Sequence, residues 1–483
     1  MEAKKTRRLL ILVFAVYLAL IGLYYAVSTN QINYRYSQST PYAGTEETGE
    51  LLAGRVVTQA IPLYEEELET LSVLVGTYGR VNTSHLRARL LNAKGEVLAE
   101  NELAMESATD QQQLRLFSGS VSLAAAPRAT LELSSPDGAP GNAVTLYYGN
   151  MVRLSRVDVE QQIAPENRVT VDGERKGGQL SFYSLQRSAQ WLARWYWPIA
   201  LGIGVLLGLY LLWVDRLERT GRTCLILNVV HAFRRYGYLI EQMVQRDFKT
   251  KYKRSVLGVL WSLLNPLLTM TVQYIVFSTI FKSSIENFPV YLLIGTICYA
   301  FFSESISSAL NAIVGNASLI TKVYVPKYIY PFTKVISSGI NLLFSMIPLL
   351  VVMIFTDTRF TFAMLMVPVP LMFLFMLCLG VGLLLCTGMT FFRDVQFLWS
   401  VVVMLWSYYT PIFYPESIIP SAWLGLFKLN PLYHVIRLMR SLLMDGVSPD
   451  PKTYAVCFVA CFVPFVIGAW AFKRKQDRFI LYI

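Results

Sequence analysis

Residues 246–266 read RDFKTKYKRSVLGVLWSLLNP. Five of the first nine are cationic: Arg246, Lys249, Lys251, Lys253 and Arg254. Within four further residues the chain turns apolar around Trp261 and stays so over a length that suits a bilayer crossing. Cations pressed against the start of an apolar run belong where cytoplasm meets lipid. This junction makes the chain a polytopic helical membrane protein and puts an anion-binding surface at its mouth.

Working outward, apolar runs recur along all but one region. Hydrophobic residues make up 54% of the 483-residue chain and charged residues only 16%, against about 25% charged in soluble domains. Membrane-length stretches lie at 9–27, 197–214, 257–281, 289–312, 334–355, 362–391, 395–414 and 454–472, so about eight spans are expected. The net charge of +11 is split: residues 29–190 carry 14 Lys/Arg against 19 Asp/Glu, and the remainder carries 29 against 13. Basic flanks at Lys4–Arg8, Arg216–Arg222 and Lys473–Arg478 orient those ends toward the cytoplasm. Residues 28–195 are then extracytoplasmic. The first span is read as an uncleaved anchor, because 19 apolar residues exceed the roughly 7–15 of a signal-peptide core.

The expected organisation follows: flank and first span (1–28), external domain with its connector (29–195), second span (196–214), basic amphipathic segment (215–254) and a six-span body (255–483). Between about 45 and 150 the runs VVTQAIP, TLSVLVG, LRARLL and ATLELS alternate like strands. Turn sequences such as Asn92-Ala93-Lys94-Gly95 separate them. An all-β, jelly-roll-like sandwich is predicted, with 150–195 as a return connector. Tyr78, Tyr147 and Tyr148 are its candidate platforms for stacking on a glycan. In 215–254, ten Lys/Arg alternate with apolar residues at three- and four-residue steps, as in a helix lying in the interface with its apolar face among acyl chains.

Several classes of chemistry are missing. No G-x-x-x-x-G-K-[ST] loop occurs, so nucleotide hydrolysis by that route is not expected in this chain. The three histidines assemble no Ser/His/Asp set. Cys457 and Cys461 share a helix face without other ligands, and no metal is expected. Nucleic acid is disfavoured, since no folded cytoplasmic domain presents the basic run. Glu304 is the clearest ionisable group within the spans, read as paired to a neighbouring helix.

Motifs then follow in order. Arg246-Asp247-x-Lys249 precedes Tyr252, Ser255, Leu257-Gly258, Trp261 and Pro266; Phe302-Ser303-Glu304 precedes NASLITKVYVPKYIYP at 316–331. Arg393-Asp394, YYTPIFYPESIIP at 408–420, Leu429-Asn430-Pro431 and Arg437 complete the series. Over about 225–475 the chain resembles the permeases of ATP-binding-cassette exporters of polysaccharide, the O-antigen and teichoic-acid exporters. The two leading spans and the β-domain depart from that pattern.

The resemblance implies a transport subunit rather than an enzyme, working as two copies with two separate ATPase chains that bind ATP-Mg, and no cofactor in this chain. Its implied cargo is a polyprenyl-diphosphate-linked polysaccharide, moved from the inner to the outer leaflet of the bacterial cytoplasmic membrane. Arg246, Lys249, Lys251 and Arg254 are expected to meet the headgroup, because guanidinium and ammonium groups bind phosphate oxygens strongly. Trp261, Trp399, Trp406, Tyr408, Tyr409, Phe413 and Tyr414 are the candidate glycan conduit. The loop 313–333, with Asn316, Leu319, Lys322 and Pro326, is expected to couple to the ATPase. Arg393-Asp394 is read as an ion pair at the other cytoplasmic turn. Residues 415–431 are too short to span and too apolar for a free loop, so two re-entrant gate helices are predicted. The competing reading is a membrane glycan-modifying enzyme with an external sensing domain, for which Asp357, Glu416, Asp445 and Asp450 are the few candidate acids.

Overall fold

A computed structural model describes residues 2–39, 42–62, 64–117, 119–123, 128–154, 157–160, 163–222, 224–253, 255–280, 287–323, 325–416 and 419–482. The chain divides into two compact units, Met1–Gln31 with Trp197–Ile483, and Ile32–Tyr196.

The first unit is helical. Seven helical segments among the described residues are long and apolar enough to cross a membrane. They comprise α1 (Glu2–Asn33), α2 (Trp191–Arg219), α4 (Leu260–Tyr274) with a π-helical extension (Ile275–Ile280), α5 (Phe288–Leu310), α7 (Ile329–Phe355), α8 (Pro368–Phe391) and α12 (Pro451–Lys475). The eighth expected crossing is shorter: α9 runs only over Val395–Tyr409. Fifteen residues rise about 22 Å, short of a hydrocarbon core of about 30 Å. Its C-cap Thr410 leaves helical geometry, and Ile412 is already buried under the following turn.

Helix α5 is the hub. Most of its residues are buried, with Ile294, Cys298, Phe302 and Ile306 in one cluster with α7, α8, α12 and the helix at Pro431–Leu443. Its first half is apolar nearly all round, as a helix enclosed by others requires, and its polar residues gather near its C-terminal end. Helices α8 and α12 cross at Gly380 and Gly468, where a Cβ on Gly468 would lie 1.9 Å from the Gly380 carbonyl oxygen. Small residues allow that backbone approach, which supplies dispersion contacts where lipid removes the hydrophobic drive.

The amphipathic segment forms α3 (Leu225–Tyr252). Between Tyr236 and Met243 the apolar side is covered by protein, where Tyr236, Leu239, Ile240 and Met243 pack on Ile313, Ile320, Ile329, Leu383 and Phe472, while Val229 stays exposed. The helical period specifies an apolar stripe; the partner that covers it is set by tertiary packing. The short α6 (Ala317–Ile320) lies in the loop after α5. Of the two helices expected within 415–431, α10 (Ser421–Phe427) lies inside that segment, whereas α11 (Pro431–Leu443) begins only at its end.

The second unit is a β-sandwich of two larger sheets, accompanied by a third sheet of three strands among the described residues. Strands Val56–Pro62, Arg128–Ser134, His85–Leu91 and Val97–Ala104 form successive antiparallel neighbours in one sheet. Strands Tyr34–Gln38, Phe182–Ala189 and Glu67–Gly76 run side by side in the other, joined by Thr145–Gly149 and Gln112–Arg115. Val57, Ile61, Leu71, Val73, Leu86, Leu131, Leu146 and Phe182 meet in a single core. Alternate residues of each strand turn inward, as the pleat requires. The region 150–195 corrects the expectation of a connector, because Phe182–Ala189 is an interior strand paired on both edges. Two of its inward positions are polar, which hides the alternation. Ser184 bonds Ser39, and Gln186 donates to the Pro62 carbonyl while accepting from the Tyr64 and Glu65 amides.

Candidate functional site

The cationic end of α3 meets α5 and α7 around a polar cavity of about 480 Å³. Charge crosses between helices here. Asp247 Oδ1 accepts from Arg246 at 3.1 Å, and its Oδ2 lies 2.8 Å from Lys334 Nζ on α7. Lys251 Nζ donates to Glu304 Oε1 on α5 at 2.8 Å, and Asn341 and Ser338 of α7 donate to the same oxygen at 2.8 and 3.3 Å. Tyr252 closes the network by donating its hydroxyl to Asn341 Oδ1 at 3.0 Å. Glu304 thus joins α5 to α3 and α7 through charge-assisted hydrogen bonds, and Asp247 joins α3 to α7 by an ion pair.

The four expected headgroup residues are therefore not equivalent. Arg246 is occupied by Asp247 and by Asn316 Oδ1, 3.3 Å away. Lys251 is bound to Glu304. Lys249 is exposed and has no partner among the described residues, whereas Arg254 lies outside them. Lys334, Ser338 and Asn341 were not anticipated. Their signal was a polar residue every three or four positions at the start of an otherwise apolar helix, placing them on one face.

Coupling candidates also separate. Asn316 is buried, donating to the Ala312 carbonyl and accepting from Arg246, so it anchors the loop instead of presenting it. Leu319 packs inward in the α3 cluster. Lys322 is exposed, Pro326 is half-buried, and the neighbouring Val323 is exposed. Arg393 and Asp394 form no ion pair with each other among the described residues; Arg393 instead reaches the Tyr482 carbonyl at 3.5 Å.

Of the conduit candidates, Trp399 is buried in the helical core and donates its indole N–H to Ser307 at 3.0 Å. It shows no face to an open passage within this chain. Trp406 donates to Asn430 Oδ1 at 3.0 Å and packs on Phe302. Asn430 also donates to Thr410 at 2.8 Å and caps α11 by accepting from the Leu432 amide. Phe413 stacks on Phe277, with ring centroids 5.4 Å apart. Tyr409 donates to the Leu426 carbonyl and Tyr414 to that of Tyr408. Tyr408 and Trp261 are exposed.

Arg440 of α11 organises the turn after α9. It donates to the carbonyls of Pro411 at 2.7 Å, Ile412 at 3.0 Å and Tyr291 at 3.3 Å, and its guanidinium carbon lies 3.4 Å from the Tyr291 ring centroid. Its Nε is shielded from solvent and has no hydrogen-bond partner among the described residues. The motif reading singled out Arg437, which is exposed and 4.0 Å from Glu416; helical phase, not residue type, distinguishes the two.

In the β-unit, Tyr148 cannot be a platform. It is 7% exposed within the sandwich core, and burial pushes its hydroxyl pKa up to about 12. Adjacent strand residues face opposite ways, so Tyr147 and Tyr148 cannot share a surface. Tyr147 lies partly buried over Gly44 and Gly76. Tyr78 is exposed at φ +57°, its hydroxyl bonded to Glu47 and its ring 5.0 Å from the Arg80 guanidinium.

Residues 238–444 match the family model of the ABC-2 type transporter. The O-antigen export system permease protein RfbA of Klebsiella pneumoniae is 30% identical over 248 residues, covering 50% of this chain and 95% of that protein. The chain belongs to this family of ABC-2 permeases. RfbA of Myxococcus xanthus is 27% identical over 257 residues, 53% of this chain and 98% of the relative. The polysialic acid transport protein KpsM of Escherichia coli is 23% identical over 252 residues, 50% and 95% respectively. An ABC-2 permease is a multi-pass transport subunit, with ATP hydrolysed by a separate protein. About half of this chain lies beyond the aligned lengths of these relatives.

Proposed function

We propose that this permease moves a polyprenyl-diphosphate-linked polysaccharide from the inner to the outer leaflet of the bacterial cytoplasmic membrane. Two copies of the chain form the path, and two ATPase chains binding ATP-Mg drive it. The observation that carries the reading is that polysaccharide-export permeases align with the helical body over 95–98% of their own lengths. Taken with the charge asymmetry, this supports eight crossings, with α9 and the turn after it serving as one, and residues 28–195 outside.

The physical requirements agree. A diphosphate and its sugars lose water hydrogen bonds in hydrocarbon at a cost of several kcal/mol per uncompensated group. The cationic end of α3 offers replacement bonds at the inner surface. Helix α9 leaves Leu398, Val401, Leu405 and Tyr408 exposed, an apolar and aromatic face that suits a second copy and a sliding glycan. Lys322 and Val323 present the coupling loop to the ATPase. The β-sandwich, read as jelly-roll-like, contacts emerging glycan through Tyr78 and Tyr147.

The test is reconstitution with the cognate ATPase, measuring ATP turnover and outer-leaflet delivery of lipid-linked glycan. Stimulation by that lipid is expected. Neutralising Arg246, Lys249, Lys251 and Arg254 together is expected to abolish delivery at unchanged protein level; normal delivery by that variant rejects headgroup capture at this end.

A further inference from the structure

The cavity between α3, α5 and α7 is not built as a phosphate trap. Its charged lining consists of Lys251 and Lys334 against Glu304 and Asp247, two cations and two anions, which sum to zero. Both cations already sit 2.8 Å from carboxylate oxygens. A multiply charged anion entering here would break those pairs and leave two carboxylates facing it. The loss of both ion pairs and the repulsion between like charges at that range disfavour such a guest.

The remaining lining is neutral and hydrogen-bonding: Thr250, Ser308, Ser337, Ser338 and Asn341. The side-chain hydroxyls of Thr250, Ser308 and Ser337 have no partner among the described residues, and all three bonds to Glu304 fall on Oε1. Spare donors and acceptors around a neutral space fit a ligand that both gives and takes hydrogen bonds without carrying charge. A sugar has that chemistry. A volume of about 480 Å³ falls within the range of roughly 300–1,000 Å³ that small-molecule sites occupy.

We infer that this cavity is a sugar subsite, holding the phosphate-proximal sugar of the lipid-linked glycan. The diphosphate stays outside it, at the exposed Lys249 on α3 and Lys253 at its C-cap. This rests on the transport reading above and refines it: Lys251 positions Glu304 as an acceptor for sugar hydroxyls and does not grip phosphate. Sites that hydrogen-bond a substrate hydroxyl reject analogues lacking it, because their own polar groups are left unpaired.

The test uses the full chain with its ATPase in lipid nanodiscs. Two probes are titrated: a bare polyprenyl diphosphate and the same lipid bearing one N-acetylhexosamine. Wild type is expected to bind the sugar-bearing lipid about tenfold tighter, as one or two added hydrogen bonds would give. Asn341→Leu removes an amide from the cavity, and Ser308→Leu fills it from α5. Each is expected to erase that preference while leaving the bare lipid's affinity unchanged, and either variant alone suffices if the other fails to fold. The inference is overturned if wild type shows no preference, if the variants keep it, or if both lipids weaken alike. Lys249→Gln is expected to weaken both probes equally. If it weakens neither, headgroup capture at Lys249 fails while the sugar subsite stands; if wild type binds neither probe, both readings fail.

Discussion

The two units use the same ion-pair chemistry in opposite ways. In the β-sandwich, pairs such as Arg87–Glu102, Arg89–Glu100 and His85–Asp137 join neighbouring strands or loops with both partners more than a third exposed, or nearly so. In the helical unit, Lys334–Asp247 is mostly shielded and spans two helices, and Arg440 has carbonyls for partners with no carboxylate in reach among the described residues. Water competes for the first kind and salt screens it, so such pairs contribute little each. It is largely excluded from the second kind, whose partners lose far more when one member is removed. The sandwich is held by its apolar core and trimmed by charge, whereas the helical unit uses a handful of polar contacts as joints.

Four experiments break or sharpen that contrast. Arg440→Met should act most strongly, leaving the Pro411 and Ile412 carbonyls of the turn and the Tyr291 carbonyl of α5 without this donor, at about 1–3 kcal/mol each. Loss of folded protein from detergent extracts, judged by size-exclusion recovery, is the expected result; normal recovery would make Arg440 ornamental. Lys334→Met should cost about 3 kcal/mol, because it leaves the shielded Asp247 carboxylate without its cross-helix counter-charge, seen as a lowered Tm of the purified permease. Glu304→Gln and Lys251→Gln should show a coupling of only about 0.2–1 kcal/mol in a double-mutant cycle, because that pair is about 40% exposed. A coupling as large as the Lys334 effect would show that the mouth is drier than its exposure suggests.

The smallest effect belongs to His85–Asp137. The hydrogen bond to Asp137 raises the His85 pKa, while the His85 amide, followed by its ring, lowers that of Asp137. The stabilisation from His85 is complete below its unfolded pKa of about 6.5 and is lost as pH rises through the raised folded value. That from Asp137 is present above its unfolded pKa and is lost as pH falls through the lowered one. Hydrogen exchange of strand His85–Leu91 should therefore be slowest, by a small factor, between those limits, and the difference should vanish in His85→Ala. A broad loss of protection across the sandwich on crossing either limit would contradict the view that its charges are trim.

Much of this was legible in the residues. Alternation in VVTQAIP and ATLELS corresponds closely to strands Val56–Pro62 and Arg128–Ser134, and the long apolar runs became helices, because burial of a face imposes a period. Where interior positions are polar, the period fails, as at Ser184 and Gln186. The candidate site was half visible. Its basic run stood out, but the acidic and amide partners come from α5 and α7, 53 to 90 residues downstream of Lys251, and no local pattern announces which of them meet.

Residue order alone determined a membrane body preceded by a β-domain, its cationic mouth and its kinship with export permeases, since hydropathy, charge and ordered motifs are properties of the chain itself. Tertiary structure alone decided that Lys251 is spent on Glu304, that Tyr148 and Trp399 face inward, and that Arg440 rather than Arg437 clamps the turn after α9. The reason is physical: a side chain's free energy depends on whether water or protein completes its hydrogen bonds, and only packing brings those partners within reach.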